Sequence, residues 1–136
     1  MPKTERPLSP HLSIYRPQIS SVLSILHRLT GFALYIGLLV IAWYIILSIF
    51  PLNKPAAIYV SALNLVFASW FGKIILFAWL AAFYYHFCNG IRHLIWDTGR
   101  GFSIKAVQKT GLLILALTVF LTIFSWFMVI SKITLA

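Results

Sequence analysis

Residues 31–50 pass twenty positions without a Lys, Arg, His, Asp or Glu, and residues 111–131 repeat that pattern near the other end of the chain. About twenty apolar residues rising about 1.5 Å each cover the roughly 30 Å hydrocarbon layer of a bilayer; a soluble core helix seldom needs more than half that length. A third run is interrupted. Residues 74–90 contain no Lys, Arg, Asp or Glu, residues 66–72 extend the run upstream, and Lys73 stands between them. A lysine near a helix end can carry its ammonium to the interface, so the segment is read as one helix. The pattern predicts an all-α integral membrane protein. Its single membrane-anchor domain, residues 1–136, has an arm over 1–20 and transmembrane helices over 21–50, 64–95 and 106–131. Pro51, Asn53 and Pro55 break the first helix, and Gly99 and Gly101 mark the second connection.

Composition sharpens the class. Hydrophobic residues make up 61% and charged residues 10% of the 136 positions, against roughly 25% charged in soluble domains. A net charge of +9 raises nucleic acid as a partner, but the eleven Lys and Arg stand singly at the ends of apolar runs, which excludes a basic nucleic-acid face. Lys3, Arg6, Arg16 and Arg28 precede the first span, and Arg92, Arg100, Lys105 and Lys109 are assigned to the second connection. Only Lys54, Lys73 and Lys132 lie on the other side. The positive-inside rule then places the N-terminus and second connection in the cytoplasm or matrix. The proline-punctuated arm has no apolar h-region and no transit-peptide character, so it is expected to be retained as a docking element. The single cysteine, Cys88, excludes an internal disulfide, a CxxC pair and covalent CxxCH haem attachment.

Polar groups at membrane depth are costly, and two clusters stand out. In AAFYYHFCNGIRHLIWDTG, His86, Gly90, His93 and Asp97 recur at four, three and four, forming one stripe on a helix. His86 lies six residues, or about 9 Å, from Arg92, within the hydrocarbon region, and Gly90 leaves room for something flat against the backbone. Three readings of His86 compete: a haem ligand, an interhelical hydrogen bond, and a proton-relay or substrate role. His86 and His93 are about 10.5 Å apart along the helix, too far to ligate one iron together. A second axial ligand would therefore come from another helix or a partner. In SSVLSILHRLTG, Ser24, His27, Arg28 and Gly31 share a face at the interface. That cluster could bind carboxylates and offer a hydroxyl to a carbonyl oxygen, or it could be a cap followed by snorkelling cations.

The stretches RPLSPHLSIYRPQISSVLSILHRLTG and HFCNGIRHLIWDTG resemble the large membrane-anchor, cytochrome b subunits of succinate dehydrogenase, respiratory complex II. The likeness covers essentially the whole chain. It implies a heteromeric helical bundle in which a flavoprotein subunit oxidises succinate and an iron–sulfur subunit passes electrons inward. Two small membrane anchors then hold haem b and a ubiquinone site. By this resemblance His86 is an axial haem ligand whose opposite ligand comes from the second anchor. His27 and Arg28 lie near the haem propionates, and Ser24 and Arg28 line the ubiquinone pocket. His93, Trp96 and Asp97 fit the motif, with structural roles or contacts to the iron–sulfur subunit expected. The chain alone is expected to carry no dicarboxylate site. The N-terminal pattern favours a bacterial inner membrane, with an organelle-encoded mitochondrial protein as the alternative. Two other readings remain at this point: a haem-free, quinone-binding anchor of a related fumarate reductase, and a small proton-conducting subunit.

Overall fold

The computed structural model describes residues 16–49 and 54–135. The SPHLSIY part of the arm and the break at Pro51 and Asn53 lie outside the described residues. Four helices follow in order: α1, Ile19–Ile49; α2, Lys54–Ala68; α3, Trp70–Asp97; and α4, Ile104–Leu135. Three of them are long and apolar enough to cross a membrane, over Ile19–Ile49, Trp70–Asp97 and Ile104–Lys132. No strand occurs among the described residues.

The burial pattern is inverted relative to a soluble protein. Phe32 is 65% exposed, Trp43 63%, Phe120 62% and Phe127 67%, whereas Asn89, Arg92, Thr118 and Thr122 are buried. In water such a surface would aggregate. In lipid, apolar side chains face the acyl chains while polar groups turn inward to find partners. The chain is a membrane protein built as a helical bundle.

α3 is the central element, packed against α1 on one side and α4 on the other. Tyr85 shows how the three meet: its hydroxyl donates to the Leu23 carbonyl of α1 at 2.7 Å, and Leu23, Tyr85, Cys88 and Ile114 form the buried core. Further out, Tyr84 and Ser125 share a 2.6 Å hydrogen bond between α3 and α4. The Phe77 and Trp126 rings meet edge to face at 5.3 Å.

The stretch 64–95, expected as one helix, is broken at Ser69. The Ser69 backbone is extended (φ −67°, ψ 161°) and its hydroxyl caps α3 by accepting from the Gly72 amide, at 3.1 Å. Gly72 is buried where any Cβ would collide with the Val66 carbonyl and the Phe67 backbone, so the corner needs glycine. α2 is thereby a separate apolar helix lying against α1 and α3, tied to α1 by a 3.1 Å bond from the Tyr44 hydroxyl to the Asn64 side-chain oxygen. Lys73, in the first turn of α3, is exposed, with its Nζ 6.0 Å from the Trp70 ring centroid. The connection between α3 and α4 turns through Gly99 (φ 78°) and Gly101 (φ 83°), a left-handed conformation that favours glycine. Ser103 then opens α4, its hydroxyl accepting from the Ala106 amide at 3.3 Å. α4 begins at Ile104, two residues before the expected start.

Candidate functional site: a histidine column between two helices

Helical periodicity on α1 and α3 brings three imidazoles together. The His27 and His86 rings stack with centroids 4.0 Å apart and planes 7° from parallel. His93 lies on the other side of His27, its centroid 5.1 Å away and tilted by 38°. All three rings are half-buried. A close approach of the helices makes this possible: a Cβ on Gly31 would come within 2.9 Å of His86 Cε1. At Gly90, one turn further along α3, a Cβ would meet nothing within 4 Å. Space is therefore open beside His86 on its own helix.

The hydrogen bonds of His86 define its tautomer. Its Nδ1 lies 3.1 Å from the His27 carbonyl oxygen, which can only accept. The Thr30 hydroxyl is 3.4 Å from the same nitrogen and donates its own proton to the Leu26 carbonyl at 2.8 Å or the His27 carbonyl at 3.0 Å. Both neighbours present lone pairs, so the network assigns a proton to Nδ1, and in the neutral imidazole Nε2 then keeps its lone pair. This is how metal-ligating histidines are commonly held, with the second nitrogen donating to a carbonyl. His27 Nδ1 is buried and has no partner among the described residues.

The remaining expected residues are placed less centrally. Ser24 is half-buried on α1 and Arg28 is exposed beside His27. Neither hydrogen-bonds to the histidines. Asp97 is exposed as the last residue of α3. Among the described residues no group of three or more His, Cys, Asp or Glu could hold a metal ion.

Arg92 corrects the sequence reading. Counted there with the basic residues of the second connection although it falls within the expected 64–95 helix, it is buried in α3 and 4% exposed. Its Nε donates to the Thr110 hydroxyl at 3.2 Å, and Nη2 donates to the Val107 carbonyl at 3.0 Å. Nη1 reaches the side-chain oxygen of the fully buried Asn89 at 3.5 Å. Its Cζ lies 4.1 Å from the Trp96 ring centroid. These partners replace water and let the cation stay within the helix packing. A signal for it existed in the sequence: Tyr85, Asn89 and Arg92 recur at four and three, a second polar stripe on α3 beside that of His86.

Residues 2–131 match the family described as succinate dehydrogenase/fumarate reductase transmembrane subunit. The chain belongs to that family. It is 50% identical over 122 residues to the succinate dehydrogenase cytochrome b556 subunit of Rickettsia bellii, covering 90% of this chain and 91% of the relative. The Paracoccus denitrificans cytochrome b556 subunit is 36% identical over 118 residues, 87% of each chain. A mitochondrial relative, the succinate dehydrogenase cytochrome B subunit of Schizosaccharomyces pombe, is 38% identical over 118 residues, 86% of this chain and 65% of that one.

Proposed function

We propose that this chain is the membrane-anchoring cytochrome b subunit of a succinate:ubiquinone oxidoreductase, supplying one axial ligand to haem b and part of the ubiquinone site. The observation that carries the reading is the His86 hydrogen bond: with Nδ1 held by the His27 carbonyl at 3.1 Å, Nε2 is the nitrogen free to ligate iron. The open space at Gly90 and the unpartnered His27 Nδ1 agree with a group seated against α1 and α3. When bound, haem b supplies one-electron redox chemistry; this chain supplies placement and electrostatics.

In this reading His86 would be this chain's ligand to the iron, and a histidine of a second small membrane anchor would supply the other protein ligand. His27 and the neighbouring Arg28 cation stand toward the haem propionates, where a guanidinium forms charge-assisted hydrogen bonds. Ser24 and Arg28 contribute to the ubiquinone pocket, with the Ser24 hydroxyl donating to a quinone carbonyl. Succinate is oxidised in a flavoprotein subunit, and an iron–sulfur subunit delivers electrons to the side carrying the N-terminus and the connection between α3 and α4. The basic residues of that side put it in the cytoplasm of a bacterial cell, with the chain in the inner membrane.

The test is a reduced-minus-oxidised spectrum of the complex purified through this chain with its partners. A b-type band, absent from the His86→Ala complex, supports the reading. A complex that turns over succinate and quinone without any b-type band would make the chain a haem-free anchor.

A further inference from the structure

The histidine column does not end at His93. The His93 ring meets the Trp96 ring edge to face at 5.2 Å and 89°. Trp96 in turn stacks near Phe102 at 6.1 Å and 22°, and Arg92 lies on the indole at 4.1 Å. A continuous series of ring contacts therefore runs from Trp96 through His93 and His27 to His86. Arg92 anchors its far end on α4 through Thr110 and the Val107 carbonyl.

Each link restricts the next. The indole is held by a guanidinium with two hydrogen bonds to another helix, so its plane cannot turn freely. An edge-to-face pair has a preferred geometry, so a fixed indole favours one His93 ring orientation. His27 has no hydrogen bond to its buried Nδ1. Its plane is set by packing between His93 and His86. The near-parallel stack then transmits that plane to His86, whose remaining freedom is rotation about its Nδ1 hydrogen bond.

We propose that Trp96, clamped by Arg92, is a positioning residue that fixes the His86 imidazole plane through His93 and His27. The proposal rests on the reading of His86 as the iron ligand. Among the rings of the column Trp96 meets His93 and not His86, so its effect on His86 is one of orientation. For a low-spin ferric haem with two imidazole ligands, the g-values in electron paramagnetic resonance depend on the angle between the ligand planes. Plane angle is thus measurable without catalysis.

The experiment uses the complex co-expressed with its partners in native membranes, comparing wild type with Trp96→Phe, Trp96→Leu, His93→Leu and His86→Ala. Haem content and succinate reduction of an artificial acceptor report assembly. Trp96→Leu and His93→Leu should keep haem and shift the largest g-value by more than the line width, while Trp96→Phe, which keeps an aromatic ring, should shift it less. Unchanged g-values in an assembled, haem-loaded Trp96→Leu complex would overturn the proposal. Loss of assembly in both leucine variants would also overturn it, giving Trp96 and His93 a folding role instead. Persistence of the wild-type signal in His86→Ala is a separate outcome: it removes the ligand assignment itself.

Discussion

The His86 Nδ1 lies 3.1 Å from the carbonyl oxygen of His27, on the neighbouring helix. One side chain on α3 thus uses the backbone of α1 as its hydrogen-bond acceptor, and the ring that follows that backbone stacks on it at 4.0 Å. The hydrogen-bond acceptor and the stacking partner of His86 thus both come from α1.

Removal of the imidazole tests this directly. His86→Ala leaves an open coordination position in an apolar setting, so the complex should lose its low-spin b-type band. His93→Ala removes a packing neighbour but no ligand, and the optical low-spin band should remain. Difference spectra of the two complexes, normalised to succinate reduction of an artificial acceptor, decide the matter. An unchanged band in His86→Ala refutes the assignment.

Gly31 sets how closely α3 can approach. A methyl there would sit 2.9 Å from His86 Cε1, tighter than van der Waals contact allows, and overpacking of this kind costs about 1–3 kcal/mol. Gly31→Ala should therefore release haem at a lower temperature than wild type, and Gly31→Val should release it lower still. Thermal scans followed at the haem absorbance would show the order. Equal stability in all three would mean that His86 swings away without cost.

The three spans were legible because uncharged runs of seventeen or more residues have few alternatives to crossing a bilayer. The break at Ser69 was not legible. α2 is as apolar as a span, and the break depends on Ser69 capping the start of α3 and on the contact of Gly72 with Val66 and Phe67, both products of the folded corner. His27 and His86 were each singled out, but their stacking and the choice of ring nitrogen depend on how α1 and α3 cross. Arg92 was misplaced for a physical reason. A counting rule puts basic residues at the interface, whereas Thr110, Val107, Asn89 and Trp96 give this one neutral partners inside.

Arg92→Leu should accordingly destabilise the fold rather than relieve it. The leucine leaves the Asn89 side-chain oxygen without its donor in a fully buried position. An unsatisfied buried polar group costs about 1–3 kcal/mol. The complex in detergent should unfold at a lower temperature than wild type, and Asn89→Leu combined with Arg92→Leu should recover part of the loss. A double variant no better than the single one would show that the two side chains are not coupled.

Ser24 and Arg28 test the quinone side. Loss of a hydroxyl or guanidinium that positions a bound carbonyl costs about 1–3 kcal/mol, roughly tenfold to a hundredfold in affinity or rate. Ser24→Ala and Arg28→Leu should depress succinate-to-quinone transfer while succinate reduction of an artificial acceptor continues. Equal loss of both activities in an intact complex would indicate a site elsewhere.

The stacking of His27 on His86 also bears on whether the chain can hold haem by itself. Two axial imidazoles place their nitrogens about 2 Å from iron on opposite sides, which separates the ring centroids by about 6 Å with the metal between them. The observed pair is face to face at 4.0 Å, with no room for a metal between the rings. His93 is seven residues along α3 from His86, about 10.5 Å, and is too distant to take the second position. Among the described residues neither His27 in this stack nor His93 can take that position, and the proposed reading assigns it to a second anchor. The chain expressed alone should insert into membranes yet retain no stable b-type haem, and co-expression of a second histidine-bearing anchor should restore the band. A monodisperse, haem-loaded preparation of this chain by itself, with a bis-imidazole spectrum, would require His27 to leave its stack and become the second ligand.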